Sequence, residues 1–172
     1  MTHKILIFSL LSLLLHTTTS ASEFDSPGRE AGHPRTSAVR LWQLSESRDW
    51  QVRQIIARNR KTPQNLLYKL ASDPHPQVRL GVATNLKTAE KTFLLLAKDR
   101  DAVVRSVVAR FEYVPVSSLR LLAGDALAEV RLEVARNLNT TQDILQGLSQ
   151  DAHQEIRFTA LQGLQRLSDE GQ

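Results

Sequence analysis

Residues 73–86 read DPHPQVRLGVATNL. The Val78-Arg79 pair inside this stretch recurs as Val52-Arg53, Val104-Arg105, Val130-Arg131 and Ile156-Arg157. Every interval is 26 residues, without insertion or deletion. A fixed period of this size is the signature of stacked structural units. The register divides residues 36–165 into five units: 36–61, 62–87, 88–113, 114–139 and 140–165.

Aligned by register, the units give columns with physical meanings. Thr36, Thr62, Thr88, Val114 and Thr140 open each unit; threonine is a good N-cap, and Pro63 and Pro115 follow where the first helical residue would stand. Apolar columns then fall at i, i+3 and i+4: Leu41/Leu67/Phe93/Leu119/Leu145, Leu44/Leu70/Leu96/Leu122/Leu148, and Ser45/Ala71/Ala97/Ala123/Ser149. That spacing predicts a first helix of about ten residues with one inward face. Asp73, Asp99, Asp125 and Asp151 follow, and Pro74 and Pro76 require the first helix to have ended, since an interior proline costs about 3 kcal/mol. The second helix carries Val52/Val78/Val104/Val130/Ile156, Ile56/Val82/Val108/Val134/Ala160, and a small column Ala57/Ala83/Ala109/Ala135 that ends in Leu161. Alanine there implies close approach between neighbouring helices. Asn59, Asn85, Asn137 and Gly163 are expected to end the second helix in the left-handed C′ conformation, with Leu86, Leu138 and Leu164 folding back on it. Phe111 breaks this column in the third unit. The expectation is an all-α solenoid of five 26-residue helix pairs, in which no unit buries its face without its neighbours.

The stretches LASDPHPQVRLGVATN, LAKDRDAVVRSVVARF and LAGDALAEVRLEVARN resemble the leucine-rich repeat variant family and the wider HEAT-like repeats, where an Asp six residues before Val-Arg is characteristic. The resemblance implies a right-handed stack with one helix of each pair able to be 3₁₀, and a concave surface lined by the second helices. It also brings to mind an iron–sulfur cluster on an N-terminal cysteine cluster; the chain has no cysteine, so that feature does not carry over.

On a wheel with the Val of Val-Arg at zero, the Ile/Val column lies at roughly 40°, the Arg at roughly 100° and the Ala column at roughly 140°. The guanidinium therefore flanks the core between units and needs an acceptor, because an unpaired buried charge is strongly unfavourable. The Asp column supplies one at the same period. The expectation is a ladder joining Arg79, Arg105, Arg131 and Arg157 to Asp73, Asp99, Asp125 and Asp151, within or between units. Ser47 replaces the Asp in the first unit, so Arg53 is expected to use another acceptor such as Asp49.

Before the units, Lys4 and the apolar run 5–15 precede small residues at 17–22. An apolar run this short reads as a secretory signal peptide over residues 1–22 rather than a span, with an uncleaved anchor or buried helix as the alternatives. Residues 23–35, rich in Ser, Pro, Gly and charge, read as a flexible leader, and 166–172 as a polar tail. An exported mature chain of about 150 residues, periplasmic or secreted, follows. With no cysteine it has no disulfide. Removing Lys4 with the signal leaves 21 basic and 18 acidic residues, a net charge of +3. That is a small imbalance and a weak argument for a polyanionic partner.

The variable columns of the second helices are the candidate groove. Their apolar members are Ile55, Leu80, Val103, Val107, Leu132 and Phe158, and Arg58, Arg110 and Arg136 form a basic edge. Exposed apolar surface rimmed by polar groups fits a protein or extended peptide; the alternative is that these residues pack against one another or against the leader. Binding of a polyanion, nucleic acid or anionic lipid, along the basic edge is the second expectation. For catalysis the chain offers little: His33 lies in the leader, and His75 and His153 lie three units apart. Asp49, His75 and Asp101 share a turn column, but at about 8–10 Å per unit they cannot converge on one metal. No Gly-rich phosphate loop or His-Glu pairing like that of HEAT-like hydroxylases is present. The expectation is a non-enzymatic scaffold without cofactor or metal.

Overall fold

A computed structural model describes residues 26–170. The described residues are all-helical, with eleven α-helices: α1 Pro27–Gly32, α2 Ala38–Leu44, α3 Trp50–Arg58, α4 Gln64–Leu70, α5 Pro76–Ala83, α6 Glu90–Leu96, α7 Ala102–Arg110, α8 Val116–Leu122, α9 Ala128–Arg136, α10 Gln142–Leu148 and α11 Gln154–Glu170. The expected signal segment and residues 23–25 of the leader lie outside the described residues. Both helices of each 26-residue interval are α-helical, so the 3₁₀ expectation is not met. The first helix of each interval is seven residues, shorter than expected.

The inward columns are buried throughout. Leu41, Leu67, Phe93, Leu119 and Leu145 are almost inaccessible, as are Val78, Val104, Val130, Ile156 and the column from Ile56 to Ala160. At roughly 1.5–3 kcal/mol per fully buried aliphatic side chain, this one continuous core is the main stabilising term. A further buried column, Leu66/Thr92/Ser118/Ile144, escapes sequence reading because two of its members are polar.

Each second helix packs on the next: α1 on α3, α3 on α5, α5 on α7, α7 on α9 and α9 on α11. The α5–α7 contact is the least extensive of these. The first helices touch one another far less than the second helices do. At the α3–α5 contact a Cβ on Gly81 would stand 2.9 Å from the Ala57 Cβ and 3.3 Å from the Gln54 carbonyl oxygen. Gly81 and the alanine column together let the helices come this close.

Several local expectations are corrected. The segment read as a flexible leader forms α1 over Pro27–Gly32, with Ser26 accepting from the Arg29 N–H as its N-cap. Ala31 is buried, 26 residues before Ala57, and Thr36 Oγ1 donates to the Glu30 carbonyl as the later threonines do to theirs. Asn59 and Asn137 are extended (φ −69°, ψ 125° and φ −70°, ψ 128°), not left-handed. Leu86 and Leu138 are exposed rather than folded back. The threonines are not N-caps; Pro63 and Pro115 hold that place, and Thr62, Thr88 and Thr140 each donate at 2.6 Å to the carbonyl six residues earlier. Gly163 does not stop its helix: α11 runs on through the expected polar tail to Glu170, with Leu164 and Leu167 packed against the core.

Gly81→Ala is expected to destabilise the chain by about 1–3 kcal/mol, since the new methyl meets backbone and another methyl rather than a yielding side-chain tip. Thermal unfolding followed by circular dichroism checks this; an unchanged midpoint would show that α3 and α5 have slack. Thr92 Oγ1 and Ser118 Oγ are buried without a hydrogen-bond partner among the described residues. Thr92→Val, which removes one of them at nearly constant volume, is expected to leave stability unchanged or raise it by about 1 kcal/mol.

Candidate functional site

Two sets of recurring polar contacts bracket the second helices, and the groove lies on the surface they hold in place. At the N-terminal ends, Arg79 Nε and Nη2 donate to the Asp99 carboxylate at 2.6 and 2.9 Å while Nη1 donates to the Asp73 carbonyl at 2.9 Å. Arg105 does the same with Asp125 (2.7 and 3.1 Å) and the Asp99 carbonyl (2.8 Å), and Arg131 with Asp151 (2.7 and 3.0 Å) and the Asp125 carbonyl (2.8 Å). The carboxylate thus comes from the following interval and only the carbonyl from the same one. Each carboxylate also accepts the N–H two residues on, as Asp99 does from Asp101 and Asp151 from His153, which shapes the turn into the second helix.

The ends of the ladder differ from expectation. Arg53 pairs with Asp73 at 2.7 and 3.0 Å, not with Asp49, whose carboxylate instead caps α3. Arg157 donates to the carbonyls of Asp151 and Ala152, both at 2.8 Å, and has no carboxylate partner among the described residues. Ser47 stands where no preceding arginine needs a carboxylate, because Pro27 occupies the arginine position one period before Arg53. Ser47 keeps the turn contact, accepting from the Asp49 N–H.

The Arg79–Asp99 pair is the most enclosed, both side chains being 5 % exposed. Burial alone would raise the Asp125 pKa, but the bonds from Arg105 and the Leu127 N–H outweigh it and hold the group below its ordinary value. The Arg131 bond holds Asp151 far below the usual carboxylate range, with the His153 N–H adding to it. On the surface, the hydrogen bonds from Arg120 and Thr141 bring Asp143 down to about 2.

At the C-terminal ends an amide clamp was missed by sequence reading. Asn85 Nδ2 donates to the carbonyls of Ala57 and Asn59, at 2.6 and 3.1 Å, one period back. Asn59 does so to Ala31 and Asn137 to Ala109 and Phe111. Each buried Asn thereby reaches the Ala carbonyl in the last turn of the preceding second helix, a group that helix ends leave in need of a partner, while the Asn59 and Phe111 carbonyls accept as well from the Thr62 and Val114 N–H groups. Phe111 replaces this Asn at the α5–α7 contact and stacks on Phe93, ring centroids 5.8 Å apart.

The groove residues divide. Val103 and Phe158 are exposed, at 59 % and 60 %. Ile55, Leu80, Val107 and Leu132 are half-buried and packed against the core, Ile55 beneath Gly28 and Gly32 of α1. The apolar groove is therefore narrower than expected. What every second helix does expose is a pair of columns seven residues apart: Gln51/Gln77/Val103/Glu129/Glu155 and Arg58/Thr84/Arg110/Arg136/Gln162. Arg58, Arg110 and Arg136 are all exposed, but Thr84 interrupts the row and Arg136 is paired with Glu155 and Glu133. The basic edge is not continuous.

His75 stacks on Trp50 with centroids 3.9 Å apart and caps α5 through Nδ1, and His153 contacts Asp151 and Arg131, so neither faces a shared site. No group of three metal-ligating residues converges among the described residues. An open cleft between the second and third intervals is lined by Asp73, Arg79, Leu95, Lys98, Asp99 and Arg100, and the buried charges in it belong to the ladder. No helix among the described residues is long and apolar enough to cross a membrane. Comparison with protein-family models and with curated proteins finds no match.

Arg105→Ala is expected to cost about 2–4 kcal/mol, because it strands a carboxylate whose side chain is 7 % exposed. Arg157→Ala, which strands none, is expected to cost about 1 kcal/mol. Urea unfolding of both variants checks the contrast; equal losses would show that the carboxylate link contributes nothing of its own. Because Asp125 and Asp151 are depressed in the folded state, their stabilisation is complete above the ordinary Asp pKa and is lost as pH falls through that range toward the folded values. The urea midpoint should accordingly fall between about pH 5 and pH 2.

Proposed function

We propose that the chain is an exported, non-enzymatic scaffold: a right-handed solenoid of five 26-residue helix pairs, akin to leucine-rich repeat variant and HEAT-like arrays. It binds a protein or extended peptide along its row of second helices. Several observations support this reading. Equivalent bonds recur at each 26-residue step, and α1 repeats the Ala and Thr contacts of later units as an N-terminal half-unit. The second helices pack more extensively on one another than the first helices do, as the inner row of a curved stack must.

The observation that carries the functional reading is the pair of exposed columns at residues 51 to 155 and 58 to 162. They present Gln, Val, Thr, Arg and Glu at one period along a continuous face. An irregular mixture of amide, apolar and both charges suits a particular protein surface better than a uniform polyanion. Grip on a phosphate backbone would call for an unbroken basic row, and Thr84 with the Arg136–Glu155 pair breaks it.

The test is affinity capture from an extract of the native host. Val103→Glu/Arg110→Glu is compared with wild type, since both residues are exposed and the double change should leave helical circular dichroism intact. The expected result is a protein retained by wild type at low and high salt and lost by the variant. Retention of nucleic acid or lipid that disappears as salt rises would overturn the reading in favour of phosphate binding.

A further inference from the structure

The outward side of α11 is built like an internal joint but carries nothing among the described residues. At the α3–α5 joint, the atoms that a Gly81 Cβ would meet belong to Gln54, Ala57 and Arg58, so this side of a second helix faces the next one. The equivalent residues of α11 are Phe158, Leu161 and Gln162. Ala57, Ala83, Ala109 and Ala135 are buried in this column, whereas Leu161 is 54 % and Phe158 60 % exposed. Arg157 beside them is held by the same backbone carbonyls as every other rung, with the Nε and Nη2 edge that elsewhere grips an Asp left open. Glu155, by contrast, accepts from Arg136 and so faces back toward α9. Where the other long second helices end, α11 continues to Glu170, so no further first helix begins at that register. Its extension adds Gln165 and Asp169, both exposed and joined by a 2.8 Å hydrogen bond, to the same side.

We infer that this face pairs with the same face of a second copy of the chain. It is positive at its Arg157 end and negative at its Asp169 end, with the two apolar residues between the middle and the positive end. Twelve residues separate the charges, about 18 Å along a helix. Antiparallel packing of two α11 helices about a two-fold axis sets each positive end against the other copy's negative end. It also covers Phe158 and Leu161 with the partner helix. A head-to-tail stack is disfavoured: among the described residues the other end is α1, where Pro27 and Arg29 hold the rung and facing positions, so positive would meet positive. A two-fold contact closes on itself and gives a dimer, not a filament. It uses one helix face per copy, below the size of a standard stable interface, so the dimer is a weak one with a micromolar or higher dissociation constant. The face shares Gln162 with the last position of the proposed groove but does not include Val103 or Arg110, so pairing leaves the rest of the groove accessible.

The experiment is sedimentation velocity of the mature chain across roughly 10–300 µM. The expected result is a concentration-dependent monomer–dimer equilibrium, weakened about tenfold or more by Phe158→Glu or Leu161→Glu. Asp169→Lys, which turns the charge match into repulsion, is expected to weaken it as well. All three residues are exposed, and unchanged helical circular dichroism verifies folding of each variant. A single monomeric species at every concentration overturns the inference. So does a dimer indifferent to Phe158→Glu and Leu161→Glu, and a dimer indifferent to Asp169→Lys overturns the antiparallel arrangement.

Discussion

A guanidinium placed between two helices must be answered by an acceptor from beyond its own helix, and this requirement organises the chain. The arginine of each Val-Arg pair is fixed on one side by a carbonyl of its own turn and on the other by the aspartate twenty residues on. That aspartate simultaneously accepts the backbone N–H that starts the next second helix. One carboxylate thus sets a turn, starts a helix and ties two units together. A change of a single residue in the spacing would separate these roles, which gives a physical reason for four intervals of strictly equal length between the five Val/Ile-Arg pairs. The hydrophobic core supplies most of the stabilisation, but apolar contacts alone are tolerant of sliding; the bidentate fork admits one register.

The opposite end of each joint is held by an amide. Asn59, Asn85 and Asn137 reach back one period to helix-end carbonyls, and the threonine three residues later donates to a carbonyl of the second helix just before it. The two are lost together where the third unit meets the fourth, with Phe111 and Val114 in their places. There the α5–α7 contact is the least extensive, Phe111 stacks on Phe93 of α6 instead of clamping back to α5, and the Arg79–Asp99 pair is the polar link across the joint. At the array's beginning the reverse holds. Pro27 and Ser47 remove the ion pair from the α1–α3 joint, which keeps the amide clamp of Asn59.

Much of this was legible in the sequence because its causes are periodic. The helix pairs and inward columns follow from spacing that only one helical face can satisfy. The Arg–Asp ladder follows from a charged residue recurring beside apolar ones. The direction of the ladder was not legible, because six residues back and twenty residues on belong to the same column. Asn59 and Asn137 were misread as left-handed caps, since a residue type allowed in that conformation is also a buried amide donor. The fixed Asn-x-x-Thr spacing, and its joint loss at Phe111 and Val114, was the available signal. Helix α1 was hidden by Pro27, Gly28 and Gly32, a composition that imitates a linker. Gly28 and Gly32 in fact lie against Ile55. Four of the six apolar candidate-groove residues are half-buried, as the alternative reading allowed: neighbouring helices cover their flanks, as α1 does for Ile55, which a helical wheel drawn for an isolated helix does not show.

The most direct test of the central claim is a double-mutant cycle at the α5–α7 joint, using Arg79→Ala, Asp99→Ala and the double variant in equilibrium urea unfolding. The account predicts that each single change costs about 3–4 kcal/mol and that the double costs clearly less than their sum, giving a coupling of about 2 kcal/mol or more. Additive losses, with a coupling near zero, would mean that the arginine and aspartate act separately and that the register is held by the apolar core alone.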